Sequence, residues 1–317
     1  MLDELEFEKP ILELENRIAT LRAAEDGTVA REEIAKLEER LRRTQQRVYA
    51  SLTAWQRAQI ARHPKRPHAL DFFRLLLDDF VELHGDRVYG DDMAIVGGLA
   101  VFEGAPVVVL GHQKGRDTRE NIARNFGMPH PEGYRKALRL MQLAAKFGKP
   151  IVTLIDTPGA FPGLGAEERG QAEAIARNLR EMAGLRTPVV AVVTGEGGSG
   201  GALAIGVANR VLMLEHAVYS VISPEGCAAI LWGDAAKAPE AASLMRVTAP
   251  DLLKLGVIDA VVREPVGGAH RSWEEAAANL RTALREHLAD LRSRSGDALV
   301  QDRFDKFRRI GVFEEAV

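Results

Sequence analysis

Val189-Val190-Ala191-Val192-Val193-Thr194-Gly195-Glu196-Gly197-Gly198-Ser199-Gly200-Gly201-Ala202-Leu203-Ala204-Ile205-Gly206 is the stretch on which the fold turns. A β-branched apolar run enters a glycine cluster and continues as Ala-Leu-Ala-Ile, the pattern of a buried strand, a tight turn and a helix start. Five glycines in the seven positions 195–201 permit positive φ angles and, having no Cβ, allow close approach of another backbone or a ligand. The first turn of the helix adds N–H groups with no intrahelical acceptor and a dipole that favours negative charge.

Four uses of such a turn stand side by side. A phosphate loop requires Gly-x-x-x-x-Gly-Lys-Ser/Thr, and no lysine follows these glycines, which excludes it. A serine hydrolase elbow is matched literally by Gly197-Gly198-Ser199-Gly200-Gly201, with His216, His270, Asp234, Asp251 and Asp259 as candidate partners. An oxyanion hole needs no nucleophile: the amides of Gly200 and Gly201 would hold charge developing on a substrate oxygen. The plainest use is packing of a helix against a strand.

At 317 residues and 46% hydrophobic content the chain can bury a large core, and a net charge of −3 argues against nucleic acid or an anionic membrane as its main partner. Cys227 is the single cysteine. It permits no intrachain disulfide and no four-thiolate zinc site, so no metal is expected in this chain. The acidic start Met1-Leu2-Asp3-Glu4 is unlike a signal peptide, and no apolar run approaches a membrane span, so a cytoplasmic location is expected.

Ile11, Leu14, Ile18 and Leu21, then Ile34, Leu37, Leu41 and Val48 after Gly27, place one apolar seam on each of two helices. Two narrow seams cannot close a core, so a hairpin in a segment 1–66, ended by Pro64 and Pro67, is expected to cover the body or a partner chain. The remaining 67–317 read as one α/β domain. A helix capped by Asp71 is expected to carry Phe72, Phe73, Leu75, Leu76 and Phe80. Strands are expected at 94–101, 106–110, 151–155, 189–193, 211–214, 218–222 and 257–262, and helices at 132–147, 167–182, 202–208, 226–232 and 250–255. Two amphipathic helices, 273–292 and 298–309, close the chain, a C-terminal helical section from about 272. Strand pairs separated by a helix suggest a right-handed ββα spiral, although spacing alone does not separate it from a doubly wound sheet.

A second turn, Ile155-Asp156-Thr157-Pro158-Gly159-Ala160-Phe161-Pro162-Gly163, again lies between a strand and a helix. Its Asp-Thr-Pro-Gly also occurs in GTPases, but without an upstream phosphate loop that likeness carries nothing. Its value is positional, since two such turns set two groups of amides at one end of a sheet. A third loop, Gly111 to Asp117, brings Lys114 and Arg116, with Arg119 beyond it; solvated surface is an equally good account of all three.

The wording of these segments is familiar. His84-Gly85-Asp86-Arg87, Gly111-His112-Gln113-Lys114-Gly115-Arg116, Arg124-Asn125-Phe126-Gly127-Met128, Asp156-Thr157-Pro158-Gly159, Ala166-Glu167-Glu168-Arg169-Gly170-Gln171, the 195–206 run and Ser223-Pro224-Glu225-Gly226-Cys227 resemble the α subunit of bacterial acetyl-coenzyme A carboxylase carboxyltransferase. The resemblance spans nearly the whole chain. It implies a crotonase-like fold and half of an enzyme that moves a carboxyl group from carboxybiotin, borne by a biotin carboxyl carrier protein, to acetyl-CoA. The product is malonyl-CoA for fatty acid biosynthesis. It also implies a β subunit with a four-cysteine zinc ribbon, an α2β2 heterotetramer, and biotin carboxylase in the larger complex. By the same resemblance Gly200 and Gly201 bind the ureido oxygen of biotin, with Gly198, Ser199, Gly159, Ala160 and Phe161 around the substrate. The alternatives are a hydrolase using Ser199, a stand-alone acyl-CoA hydratase or isomerase using Glu167, Glu168 or Glu196, and a scaffold without catalysis.

Overall fold

The computed structural model describes residues 5–24 and 28–311. The expected hinge at Gly27 lies outside them. Helices α1 (Lys9–Ala24) and α2 (Thr28–Ala50) lie along each other. Ile11 is fully buried and packs with Tyr49 and Ile60, which fastens the root of the pair to the body. Arg271 donates to Glu8 (3.1 Å) and Glu15 (2.6 Å) at the same place. Leu14, Leu21 and Ile34 remain partly exposed, and a groove of about 1010 Å³ runs along the pair past Pro10, Leu14 and Leu37.

Pro64 and Pro67 do not terminate the hairpin directly. A further helix, α3 (Ala54–Ala61), intervenes, opened by a capping box between Thr53 and Gln56. Helix α4 (Ala69–Leu76) has His68 at its N-cap; Asp71 sits at the third helical position, where its carboxylate accepts from the His68 N–H (2.8 Å). Phe80 falls outside α4, on a strand β1 (Asp78–Glu82) that the helical spacing hid. Strands β2 (Ile95–Phe102) and β3 (Ala105–His112) form a hairpin whose turn residues, Glu103 and Gly104, both take positive φ, as the right-handed twist of the strands requires.

After α5 (Thr118–Ala123) and α6 (Pro131–Lys146) comes β4 (Ile151–Thr157). The helix expected at 167–182 is broken at Gly170 (φ 82°) into α7 (Leu164–Glu168) and α8 (Gln171–Ala183). Strand β5 (Val189–Gly198) runs straight into α9 (Ser199–Leu203), earlier and shorter than the expected 202–208. Then follow β6 (Arg210–Leu214), β7 (Val218–Ser220), α10 (Pro224–Trp232), α11 (Ala238–Met245), α12 (Ala249–Lys254), β8 (Ala260–Val262), α13 (Trp273–Arg292) and α14 (Gly296–Arg309). Helix α11 was not anticipated, because its Ala-rich sequence follows a Gly-Asp break without a marked apolar stripe.

The sheet order β1-β2-β3-β4-β5-β6-β8, with β7 paired to the far end of β5, follows chain order and never reverses. That distinguishes the arrangement from a doubly wound sheet, in which the order reverses at a switch point. β1, β2 and β3 are antiparallel, and every later pairing is parallel. β4 is buried along its whole length, in keeping with a strand flanked on both sides by parallel neighbours, and its burial extends to Thr153, Asp156 and Thr157. The tail is pinned by Arg303, which donates to the carbonyls of Met182 (2.8 Å), Leu185 (3.0 Å) and Thr187 (3.2 Å). The C-terminal ends of β3, β4 and β5 thus stand side by side, and each continues into one of the three loops singled out above.

Candidate functional site

The glycines of the 195–201 run serve close approach and not the positive φ expected of them. None of Gly195, Gly197, Gly198, Gly200 and Gly201 has φ above zero; the residue that does is Ser199, at 48°. A Cβ on Gly198 would collide with the Pro158 carbonyl, and one on Gly195 with the Asp156 carboxylate. On Gly201 it would lie 2.5 Å from the Gly159 carbonyl carbon and 2.6 Å from the Ala160 nitrogen. Gly200 alone has room, with Ile175 at 3.6 Å. The structure therefore brings Gly198, Gly200 and Gly201 together with Gly159 and Ala160 in one interlocked pair of turns.

The second turn is held from both sides. Thr157 Oγ1 accepts from the Gly159 N–H (3.0 Å), and the Phe161 N–H donates to the Pro129 carbonyl (3.0 Å). The Gln171 side-chain amide donates to the carbonyls of both Pro129 and Phe161, each at 2.9 Å. Phe161 stacks on His130 with ring centroids 4.3 Å apart. Helix α9 begins at the junction, and its first-turn N–H groups have neither a side-chain cap nor an intrahelical acceptor. Ser199 is exposed, Gly200 is half-buried and Gly201 is buried.

The hydrolase constellation does not assemble. Nδ1 of His216 lies 2.9 Å from an Arg57 nitrogen, and His270 stacks on His63 at 4.0 Å. Asp234 caps its own turn, Asp251 accepts from Thr248, and Asp259 accepts from the Val211 N–H and pairs with Lys306. None of the five meets Ser199. Glu167 and Glu168 are exposed on α7.

Lys114 departs from the surface account. Its ammonium lies between strand tips, 2.7 Å from Asp156 Oδ1 and 2.9 Å from Glu196 Oε2. Arg62, just after α3, bonds Glu196 (2.6 Å) and Glu225 at the start of α10 (2.5 Å). His68 Nδ1 lies 3.3 Å from the other Asp156 oxygen. Burial alone would raise the Asp156 pKa, but the Lys114 charge and His68 outweigh it and hold the carboxyl well below its ordinary range. Burial likewise works against the Lys114 ammonium, yet Asp156 and Glu196 push its pKa above the usual value. Burial pushes nearby His112 down to about 3, which leaves it neutral. Arg116 pairs with Asp71 and covers the Trp273 ring at 4.7 Å, whereas Arg119 is exposed, in line with the surface account.

Beside the glycine turn a small cavity of about 60 Å³ is lined by Arg62, Glu196, Pro158, Gly198, Ser220 and Ser223. Arg62 and Glu225 carried no signal in the sequence, since Arg62 lies 134 residues from Glu196 and 163 from Glu225. For Asp156 a signal existed: an acid ending an apolar strand is buried there and must find a cation.

A family model described as acetyl co-enzyme A carboxylase carboxyltransferase-like matches residues 4–311. The acetyl-coenzyme A carboxylase carboxyl transferase subunit alpha of Geobacter metallireducens is 58% identical over 313 residues, covering 98% of each chain. The subunit of the same name from Thermus thermophilus is 59% identical over 313 residues, 98% of this chain and 99% of that one. Among solved structures, a Pseudomonas malonate decarboxylase hetero-tetramer in complex with coenzyme A aligns with a TM-score of 0.59 at 21% identity, over 74% of this chain and 91% of that one. Transcarboxylase 12S, with methylmalonyl-coenzyme A bound, aligns with a TM-score of 0.57 at 20% identity, over 71% of this chain and 42% of that one. Those two likenesses concern the fold, and they agree with the crotonase-like α/β architecture. The long identities and the matched family model establish that this chain belongs to the acetyl-coenzyme A carboxylase carboxyltransferase family, among its alpha subunits.

Proposed function

We propose that this chain is the half of a carboxyltransferase that receives carboxybiotin, while a β subunit holds the acetyl thioester, so that together they form malonyl-CoA for fatty acid biosynthesis. The observation that carries this reading is the interlock of Gly198 and Gly201 with Pro158, Gly159 and Ala160, which leaves the uncapped start of α9 open beside it. An anionic oxygen would suit that position, because first-turn N–H groups without intrahelical acceptors act as fixed donors to developing charge. When bound, carboxybiotin would supply the carboxyl group that passes to the acetyl thioester and, once it has given it up, would take up the methyl proton that the thioester loses. The chain itself holds the ureido oxygen through the Gly200 and Gly201 amides, with Phe161 and Ser199 at the rim. Losing one such donor typically costs about 3 kcal/mol of transition-state stabilisation. No nucleophilic side chain is required.

The partners that go with this reading are a zinc-ribbon β subunit in an α2β2 assembly, the biotin carboxyl carrier protein and biotin carboxylase, in the cytoplasm. Among the described residues no helix is long and apolar enough to cross a membrane. The hairpin of the 1–66 segment would serve assembly, since its groove past Pro10, Leu14 and Leu37 is uncovered in this chain, and 67–317 would form the carboxyltransferase domain. Co-purification with a zinc-ribbon subunit, followed by a malonyl-CoA and biotin exchange assay, tests the whole reading. Exchange by the pair supports it. Thioester hydration or hydrolysis by this chain alone would favour a stand-alone acyl-CoA enzyme.

A further inference from the structure

We propose that Lys114 is an electrostatic positioning residue for the carboxyltransferase site: its ammonium, wedged between Asp156 and Glu196, cancels negative charge that would otherwise stand beneath the Gly198–Gly201 turn. The inference rests on the reading that negative charge builds on a substrate oxygen at that turn. Both carboxylates are fixed close to it by the chain. Glu196 precedes Gly198 by two residues, Asp156 precedes Pro158 by two, and Gly198 and Pro158 are in contact. The Glu196 N–H donates to Asp156 Oδ1 (3.0 Å), so the two acids cannot separate without undoing the strand ends.

The charges facing this position alternate across the tips of the strands. Asp156 comes from β4, Glu196 from β5, Lys114 from the end of β3, Arg62 from the segment after α3, and Glu225 from α10. His68 touches Asp156 from the N-cap of α4, and His112 on β3 is neutral. Three carboxylates thus face two permanent cations. Without Lys114, Arg62 would be the one permanent cation left, among the described residues, that pairs within this group. As a general scale, a unit charge on the order of 10 Å from a reacting oxygen, at the effective dielectric of a protein, changes a rate roughly tenfold. Like charges sharing a site also drive one carboxyl toward protonation.

The test is Lys114→Met and the charge-balanced Lys114→Met/Glu196→Gln, each assembled with the β subunit and assayed by malonyl-CoA and biotin exchange from about pH 6 to 9. Lys114→Met is expected to lower kcat about tenfold with KM little changed, and the defect should deepen as pH rises because the shared proton is lost. The wild type has no such slope from this group, since Lys114 and Asp156 titrate outside that range. The double variant should recover most of the rate. A pH-independent loss that the double variant does not relieve, or a change in KM alone, overturns the proposal and leaves the reading of the site intact. A wild-type pair silent in exchange overturns both. If Lys114→Met does not fold, Glu196→Gln decides: removing one of the three negative charges should raise kcat several-fold, and an unchanged or lowered kcat overturns the proposal.

Discussion

Gly201 and Gly159 are packed backbone against backbone, such that a Cβ on Gly201 would stand 2.5 Å from the Gly159 carbonyl carbon. No rotamer relieves such a contact, because the atom in the way belongs to the chain itself. The two turns can lie together only while position 201 lacks a side chain, whereas a Cβ on Gly159 would point into open space.

Gly201→Ala is therefore expected to destabilise the chain by about 1–3 kcal/mol through overpacking and to abolish exchange. Gly200→Ala, whose Cβ would meet only Ile175 at 3.6 Å, should leave Tm nearly unchanged. Thermal melts of both variants check this, and equal losses would refute the interlock.

Ser199 is exposed and holds φ at 48°, a conformation that disfavours any residue with a Cβ. Ser199→Ala should keep most of the exchange activity, and Ser199→Gly should stabilise the chain by about 1 kcal/mol. A fluorophosphonate probe should leave the wild type unlabelled. Abolished activity in a folded, assembled Ser199→Ala variant would reinstate the nucleophile.

Glu264 and Arg66 form a buried pair, with the Arg66 Nη1 2.8 Å from one carboxylate oxygen. Burial would raise the Glu264 pKa, but the guanidinium lowers it from an ordinary 4.5 to about 2. A depressed carboxyl stabilises the fold above its unfolded value and loses that contribution as pH falls through the folded one. Stability should thus decline between pH 4.5 and about 2. Glu264→Gln, which strands a buried guanidinium, should cost about 3–5 kcal/mol at neutral pH. Denaturant titrations across pH measure both.

Removing residues up to Ala50 should weaken association with the β subunit by deleting the groove past Pro10, Leu14 and Leu37, and it also uncovers Ile60 on α3, against which Ile11 and Tyr49 pack. The glycine turn, anchored through β4 and β5, should stay folded. Unchanged affinity in a sedimentation or titration experiment would assign the hairpin another role.

The purified chain by itself should show no malonyl-CoA decarboxylation with biotin, since the thioester site is proposed to lie in the partner. Turnover by the rigorously pure chain would contradict that division.

The strand, turn and helix of 189–206 were legible in the sequence because they rest on neighbours: β-branched runs, glycine, and an apolar restart within a few residues. The hairpin seams and the closing helices were legible for the same reason. Phe80 was misplaced because helical spacing from Phe72 continued into residues that pair with β2 instead, a choice made by the sheet edge and not by local propensity. The role of the glycines was decided only in three dimensions. Positive φ is a property of one residue, but the exclusion of a Cβ at Gly198 and Gly201 depends on Pro158, Gly159 and Ala160, some forty positions earlier in the chain. The same holds for Lys114. In the sequence it is one loop lysine among several. Packing of three strand ends sets two carboxylates around it, and burial makes an ammonium there necessary, since desolvated charges persist only when paired.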